Sequence, residues 1–222
     1  MTLNNAHNLR DLQSGYFVRM MLPDAEKKAG PYVREEQKAL LGLVRSENNS
    51  SRRNFVVIGS GTMWYIEIAL KAAKKYIAIE PLANIFISKQ MRFLLKERGD
   101  IEIIESEFGD FSNKVFDGYN SIFVFHFNII SYILDPIKKI NKYLKKGDIL
   151  YISTWSNTTK SQQARKRYFD YLNDGTTDSF KVDPTGTNGL CDLDSFTFTE
   201  LKFYERHERT TGDITDVLII YT

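Results

Sequence analysis

The chain has 222 residues, 42% of them hydrophobic and 26% charged, with 30 basic against 28 acidic side chains and a formal net charge of +2. That length buries one substantial core and leaves no room for a second full domain, and the balanced charge gives no global field toward nucleic acid or a membrane. One cysteine, Cys191, excludes an internal disulfide, the N-terminus MTLNNAHNLRD lacks the features of a leader, and no apolar stretch approaches a membrane span, so a cytoplasmic protein is expected.

In chain order, residues 1–52 read as a helical cap. Residues 15–21 and 32–45 have helical character, separated by Pro23, Gly30 and Pro31 as breakers, and the second stretch offers Val33, Leu40, Leu41 and Val44 for packing. Tyr16, Phe17 and Tyr32 either dock these helices on the core or line a substrate mouth. Residues 47–53, ENNSSRR, form a polar connector.

Residues 54–81, NFVVIGSGTMWYIEIALKAAKKYIAIEP, organise the rest. Phe55, Val56, Val57 and Ile58 are apolar, mostly β-branched and too few for a helix, which predicts a buried strand. Gly59, Ser60, Gly61 and Thr62 predict a sharp turn opening a helix, with Met63, Ile66, Leu70 and Ala73 at helical spacing on its inner face. A second strand over 76–79 ends on Glu80, 80 − 59 = 21 positions after the first glycine. That is close to the ~20 expected of a carboxylate that accepts hydrogen bonds from two ribose hydroxyls. A dinucleotide wants a third glycine for close approach of its pyrophosphate, and Met63 or Trp64 stands there instead. An adenosine ligand without phosphates tolerates that bulk, and S-adenosylmethionine is the commonest such ligand.

Residues 89–98 predict a helix closed by Gly99, and residues 101–104 a third strand. Beyond it a carboxylate such as Glu107 can accept from an adenine amino group while Phe108 packs on the ring; alternatively Glu105, Glu107 and Asp110 are ordinary loop acids. Residues 120–125 hold a continuous apolar run, the pattern of a central parallel strand covered on both faces. His126 and Asn128 follow at its carboxyl end, the edge where open α/β sheets bind ligands, so His126 is either a functional group or a histidine bonded to a backbone carbonyl. A helix starts at Asp135 and Pro136 with Ile137, Ile140 and Leu144 inward and lysines near its end. A fifth strand covers 149–153, with Trp155 beyond it as pocket wall or core seal. A polar helix over 157–173 carries Arg165, Lys166 and Arg167 as a solvated face. A loop rich in Thr, Asp and Gly extends to Cys191, and extended stretches over 196–206 and 216–221 close the chain as an antiparallel pair.

The run VVIGSGT, Glu80 after the second strand, the segment FDGYNSIFVFHFN, the turn LKKGDILYIS and the closing β-pair together resemble a class I S-adenosylmethionine-dependent methyltransferase, over residues 54–155 and the final strands. The resemblance implies one domain built on a doubly wound, mostly parallel seven-stranded sheet with helices on both faces and an antiparallel terminal strand. Its parts are an N-terminal helical cap over 1–52, a Rossmann-like cofactor-binding core over 53–155, an insertion over 156–195 and a terminal β-pair over 196–222. It implies S-adenosylmethionine as cofactor, with the methionine end at the glycine loop (Gly59, Ser60, Gly61, Thr62), the ribose at Glu80 and the adenine near Pro81, Glu107 and Phe108. Two positions depart from the family. Val57 stands where an acid usually precedes the first glycine by two places, leaving the cofactor ammonium or a loop water without its usual partner, and Met63 replaces the third glycine.

The implied chemistry is in-line attack by an acceptor nucleophile on the sulfonium methyl, in which the protein chiefly aligns donor and acceptor. His126 is the candidate base for a hydroxyl or amine, and Trp64, Phe125 or Trp155 can face the sulfonium. No metal, nucleic-acid or membrane partner is expected, the short insertions favour a small-molecule acceptor, and the oligomeric state is left open. Three other readings use the same residues. A nicotinamide-dependent oxidoreductase would share the first βαβ unit, although the length leaves no substrate domain. A non-catalytic nucleoside-binding module would explain Val57 and Met63. Transfer of the aminocarboxypropyl group, as in nicotianamine-synthase-like enzymes, would use the same GSG loop.

Overall fold

A computed structural model of the chain describes residues 23–47, 52–61, 63–116, 118–133, 135–173, 193 and 196–222. Its strands are β1 (Asn54–Ile58), β2 (Lys75–Ile79), β3 (Ile101–Ile104), β4 (Ser121–Phe125), β5 (Ile149–Trp155), β6 (Arg206–Thr211) and β7 (Thr215–Tyr221). They form one seven-stranded sheet in the order β3-β2-β1-β4-β5-β7-β6. The first five strands pair in parallel, and β7 inserts antiparallel between β5 and β6. The sheet is therefore doubly wound and mostly parallel, as expected.

Strand β1 explains why helices must cover both faces. All five of its residues are buried. Phe55 and Val57 join Tyr76, Ala78, Val124 and Tyr151 on one face, while Val56 and Ile58 join Ile77, Ile79, Phe123, Phe125 and Ile152 on the other. Successive strand side chains point to opposite faces, so a strand without polar alternation needs two apolar layers against it. The helices are α1 (Pro23–Ser46), α2 (Ile66–Ala72), α3 (Ala83–Phe86), α4 (Lys89–Lys96), α5 (Pro136–Tyr143) and α6 (Thr159–Asn173). Leu40, Leu43 and Val44 of α1 and Ala69 of α2 cover the first face, and Ile140 and Tyr143 of α5 the second. Helix α6 packs near α1 through Tyr168 and Phe169, which cluster with Tyr32 and Trp155.

Three local expectations change. Helix α1 runs unbroken through Pro31. A mid-helix proline removes one hydrogen bond and costs ~3 kcal/mol, but Tyr32, Glu36, Leu40 and Leu43, at helical spacing around it, are all buried and hold the helix down. Helix α2 starts only at Ile66, because Met63 (φ 72°) and Tyr65 (φ 64°) are left-handed and delay the first turn. The inner position then falls to Ala69, and Leu70 turns outward at 37% exposure. Strand β6 begins at Arg206, not near 196, since residues 198–200 form a 3-10 turn. Residues 15–21 with Tyr16 and Phe17, and the loop reaching Cys191, lie outside the described residues. None of the described helices is long and apolar enough to cross a membrane.

Candidate active site

The register pairs Ile58 with both Ile79 and Phe125. One residue further on, Gly59, Glu80 and His126 therefore stand side by side at the carboxyl edge of the sheet. The winding reverses between β1 and β4, with β2 and β3 on one side and β5 on the other. Open α/β sheets form their ligand crevice at such a switch point.

The glycine loop is shaped by what surrounds it. Gly59 is left-handed at φ 68°, and a Cβ there would sit 2.8 Å from Cδ1 and Cγ1 of Ile129. Only glycine meets both demands without strain. The Gly61 N–H donates to Oε2 of Glu80 at 2.8 Å, and the Leu82 N–H to Oε1 at 3.0 Å. Burial raises the pKa of Glu80, and these two donors pull it back down. Its carboxylate thus lies against the glycine loop at the end of β2. The Met63 and Trp64 N–H groups both donate to the Ser60 carbonyl, at 2.9 and 3.0 Å. The Ser60 hydroxyl is buried without a partner among the described residues, and Thr62 lies outside those residues.

His126 places Nε2 2.9 Å from the carbonyl oxygen of Gly59. A carbonyl only accepts, so Nε2 carries the hydrogen and Nδ1 keeps its lone pair. Burial lowers the imidazole pKa to about 4, against the opposing pull of the Gly59 bond. The ring stacks on Trp64, with centroids 5.9 Å apart, and meets Tyr65 edge-on at 5.4 Å. Two residues on, Asn128 is left-handed (φ 61°) and buried. Nδ1 of His126 and both Nδ2 and Oδ1 of Asn128, like Oγ of Ser60, have no partner among the described residues. Buried polar atoms are ordinarily paired, so four orphans in two adjacent turns mark a place built around something polar.

On the other side of the sheet edge, Phe108 meets Phe125 edge-on at 5.3 Å and Tyr143 at 5.4 Å. Both phenylalanines belong to the second core layer together with Ile79, and Phe125 is fully buried. Pro81 and Glu107 are half-buried. Glu105 forms an ion pair with Arg92 at 2.8 Å. Trp155 packs on Tyr32 at 4.6 Å and Phe127 at 5.9 Å, beneath α1 and α6. It is buried in the cluster that Tyr168, Phe169 and Ile214 complete. Tyr32 is fully buried and donates to Ser153 Oγ at 3.1 Å, so it docks α1 on the sheet.

One residue of this edge was invisible in the pattern PYVREEQKAL. Glu36 is fully buried, with Oε1 accepting from the Phe127 N–H at 2.7 Å and from the Ser153 hydroxyl, and Oε2 from the Tyr65 hydroxyl. Burial raises its pKa to about 7 in spite of these donors. The available signal was spacing: Tyr32, Glu36 and Leu40 fall four apart, on one helix face.

No protein-family model matches the chain, and no curated protein matches it in sequence. Solved structures match it in shape: the chain has the fold of the class I S-adenosylmethionine-dependent methyltransferases. The N-methyltransferase NodS from Bradyrhizobium japonicum WM9, in complex with S-adenosyl-L-homocysteine, aligns with a TM-score of 0.54 and 14% identity over 95% of this chain and 97% of NodS. The plantazolicin methyltransferase BpumL, in complex with the same compound, aligns with a TM-score of 0.51 and 10% identity over 100% of this chain and 99% of BpumL.

Proposed function

We propose that the chain transfers a methyl group from S-adenosylmethionine to a nucleophile on a small-molecule acceptor. The observation that carries this reading is the set of unpaired buried polar atoms at the switch point, Ser60 Oγ, His126 Nδ1 and the Asn128 amide, one strand away from a carboxylate at ribose spacing. Of these, the Ser60 hydroxyl and the Asn128 amide fit the amino-acid end of the cofactor. A side-chain amide both donates and accepts, so Asn128 can serve a carboxylate and an ammonium together and supply the acceptor that Val57 does not. Gly59, Ser60, Gly61 and Thr62 would border the methionine end, Glu80 would accept from the ribose, and Pro81, Glu107 and Phe108 would border the adenine with Phe125 beneath. The fold shared with two structures holding S-adenosylhomocysteine supports the same reading.

When bound, the cofactor supplies a methyl on a sulfonium, already activated toward nucleophilic attack. What remains for the chain is alignment and exclusion of water. Nδ1 of His126 is the ring atom free to take a proton from the acceptor, and at a pKa of about 4 it is a weak base. That favours acceptors whose nucleophile needs little help, such as a neutral amine.

Isothermal titration with S-adenosylmethionine, S-adenosylhomocysteine and NAD is the test. Micromolar binding of either adenosyl ligand is expected, and the mass of a modified acceptor then separates methyl from aminocarboxypropyl transfer. Binding of NAD alone would make the chain an oxidoreductase, and binding of none would overturn the reading in favour of a module without this cofactor.

A further inference from the structure

Glu36 gathers donors from three separate parts of the sheet's carboxyl edge: the Tyr65 hydroxyl in the turn after β1, the Phe127 N–H in the turn after β4, and the Ser153 hydroxyl on β5. The network is anchored behind it. The Tyr32 hydroxyl donates to Ser153, and the Tyr151 hydroxyl donates to the Glu36 carbonyl at 2.9 Å. Tyr65 (φ 64°) and Phe127 (φ 46°) are both left-handed, as are Met63 (φ 72°) and Asn128 (φ 61°) beside them. Such residues persist only where surrounding contacts over-determine them. Both strained turns therefore end on one carboxylate, and they carry the orphaned atoms of Ser60, His126 and Asn128.

We propose that Glu36 is a positioning residue of the cofactor site: carried in by α1, it locks the turns after β1 and β4 in the shape that receives the S-adenosyl ligand. Helix α1 is then part of the site's construction, not a cover over it. The proposal rests on the cofactor reading above.

Its consequence is a dependence on pH. The titratable groups facing Glu36 are the phenols of Tyr32, Tyr65 and Tyr151, whose pKa values burial and the carboxylate raise, and behind Tyr65 stands the neutral imidazole of His126. Ionised, Glu36 satisfies every donor through charge-assisted bonds. Protonated, its own hydrogen competes with Tyr65 or Ser153. Affinity for S-adenosylhomocysteine therefore rises as the pH passes through about 7.

The test combines hydrogen exchange of the ligand-free full chain, read on peptides containing Tyr65 and Phe127, with titration by S-adenosylhomocysteine between about pH 6 and about pH 8.5. Glu36→Ala is expected to speed exchange in both turns while β2 and β3 stay protected, and to weaken binding about tenfold or more. Glu36→Gln keeps the shape and one acceptor oxygen, so it is expected to restore most of the protection but to bind with an affinity independent of pH. Unchanged exchange in the alanine variant, or the same pH profile in wild type and glutamine variant, overturns the proposal. Should Glu36→Ala fail to fold, the two remaining profiles decide. If the wild type binds no S-adenosylhomocysteine at any pH, the cofactor reading falls, and the exchange data still decide whether Glu36 holds the two turns.

Discussion

Nε2 of His126 lies 2.9 Å from the carbonyl oxygen of Gly59, a hydrogen bond that spans the point where the sheet reverses its winding. It ties the first glycine of the loop after β1 to the first residue beyond β4, across the two halves of the crevice. The bond also fixes the tautomer, leaving Nδ1 as the ring atom without a partner among the described residues.

The stability of the protein should carry the mark of that imidazole. With a folded pKa of about 4 against an ordinary value of 6.5, His126 stays neutral while the unfolded chain takes up a proton. Its contribution is complete above about pH 6.5 and is lost as the pH falls toward about 4, up to ~3 kcal/mol by linkage. His126→Gln, whose amide can still donate to Gly59, is expected to remove this slope in urea unfolding measured at several pH values.

Glu36 has the opposite sign. Its folded pKa of about 7 lies above the ordinary value of 4.5, so the folded chain holds a proton that the unfolded chain releases. Stability from this group is present below about pH 4.5 and is lost as the pH rises to about 7. At pH 8 Glu36→Gln is expected to unfold about 1 to 3 kcal/mol less readily than wild type, read by the same urea series. A less stable glutamine variant at that pH would mean that the carboxylate's hydrogen bonds outweigh its desolvation.

Gly59→Ala should destabilise the protein for two separable reasons. The left-handed φ of 68° costs a side chain ~1–2 kcal/mol, and the added methyl meets Ile129 at 2.8 Å. Adding Ile129→Ala is expected to relieve the second cost and leave the first, so the double variant should fall short of additivity in denaturant midpoints.

Glu80 and Asn128 should separate binding from stability. Glu80→Ala strands the N–H groups of Gly61 and Leu82, so it is expected to cost about 1 to 3 kcal/mol of stability and to weaken S-adenosylmethionine binding about tenfold or more. Asn128→Gly removes an amide with no partner among the described residues, at a left-handed φ of 61° that glycine adopts freely, so its stability should hold while its affinity falls by a similar factor. Calorimetric titration and thermal unfolding of both variants check the pair. An unchanged dissociation constant for Glu80→Ala would remove the ribose from that residue.

Much of the sheet and part of the site were legible along the chain, because their signals are local. The strands β1 to β5 are short apolar runs bounded by turn residues, and each lies within two residues of where its pattern places it. Gly59, Gly61, Glu80, His126 and Asn128 sit at strand ends, so strand order alone brings them to one edge. The turn LKKGD is equally local: Asp148 accepts from the Lys145 N–H at 2.7 Å and also from the Ser121 N–H at 2.7 Å, pinning the start of β5 to β4. Phe108 and Phe125 meet edge-on beside Tyr143, a packing that no local pattern shows.

The sequence by itself determined the places of strands β1 to β5, the glycine turn and the carboxylate at ribose spacing, since hydrophobic period and backbone freedom are properties of neighbouring residues. Only the tertiary structure decided the course of α1 through Pro31, the late start of α2 and the burial of Glu36. Each depends on contacts between residues far apart in the chain: Glu36 is 91 residues from Phe127 and 117 from Ser153. A proline is tolerated inside a helix, and a carboxylate inside a core, only when the surface that meets them supplies what they lack, and that surface exists only after folding.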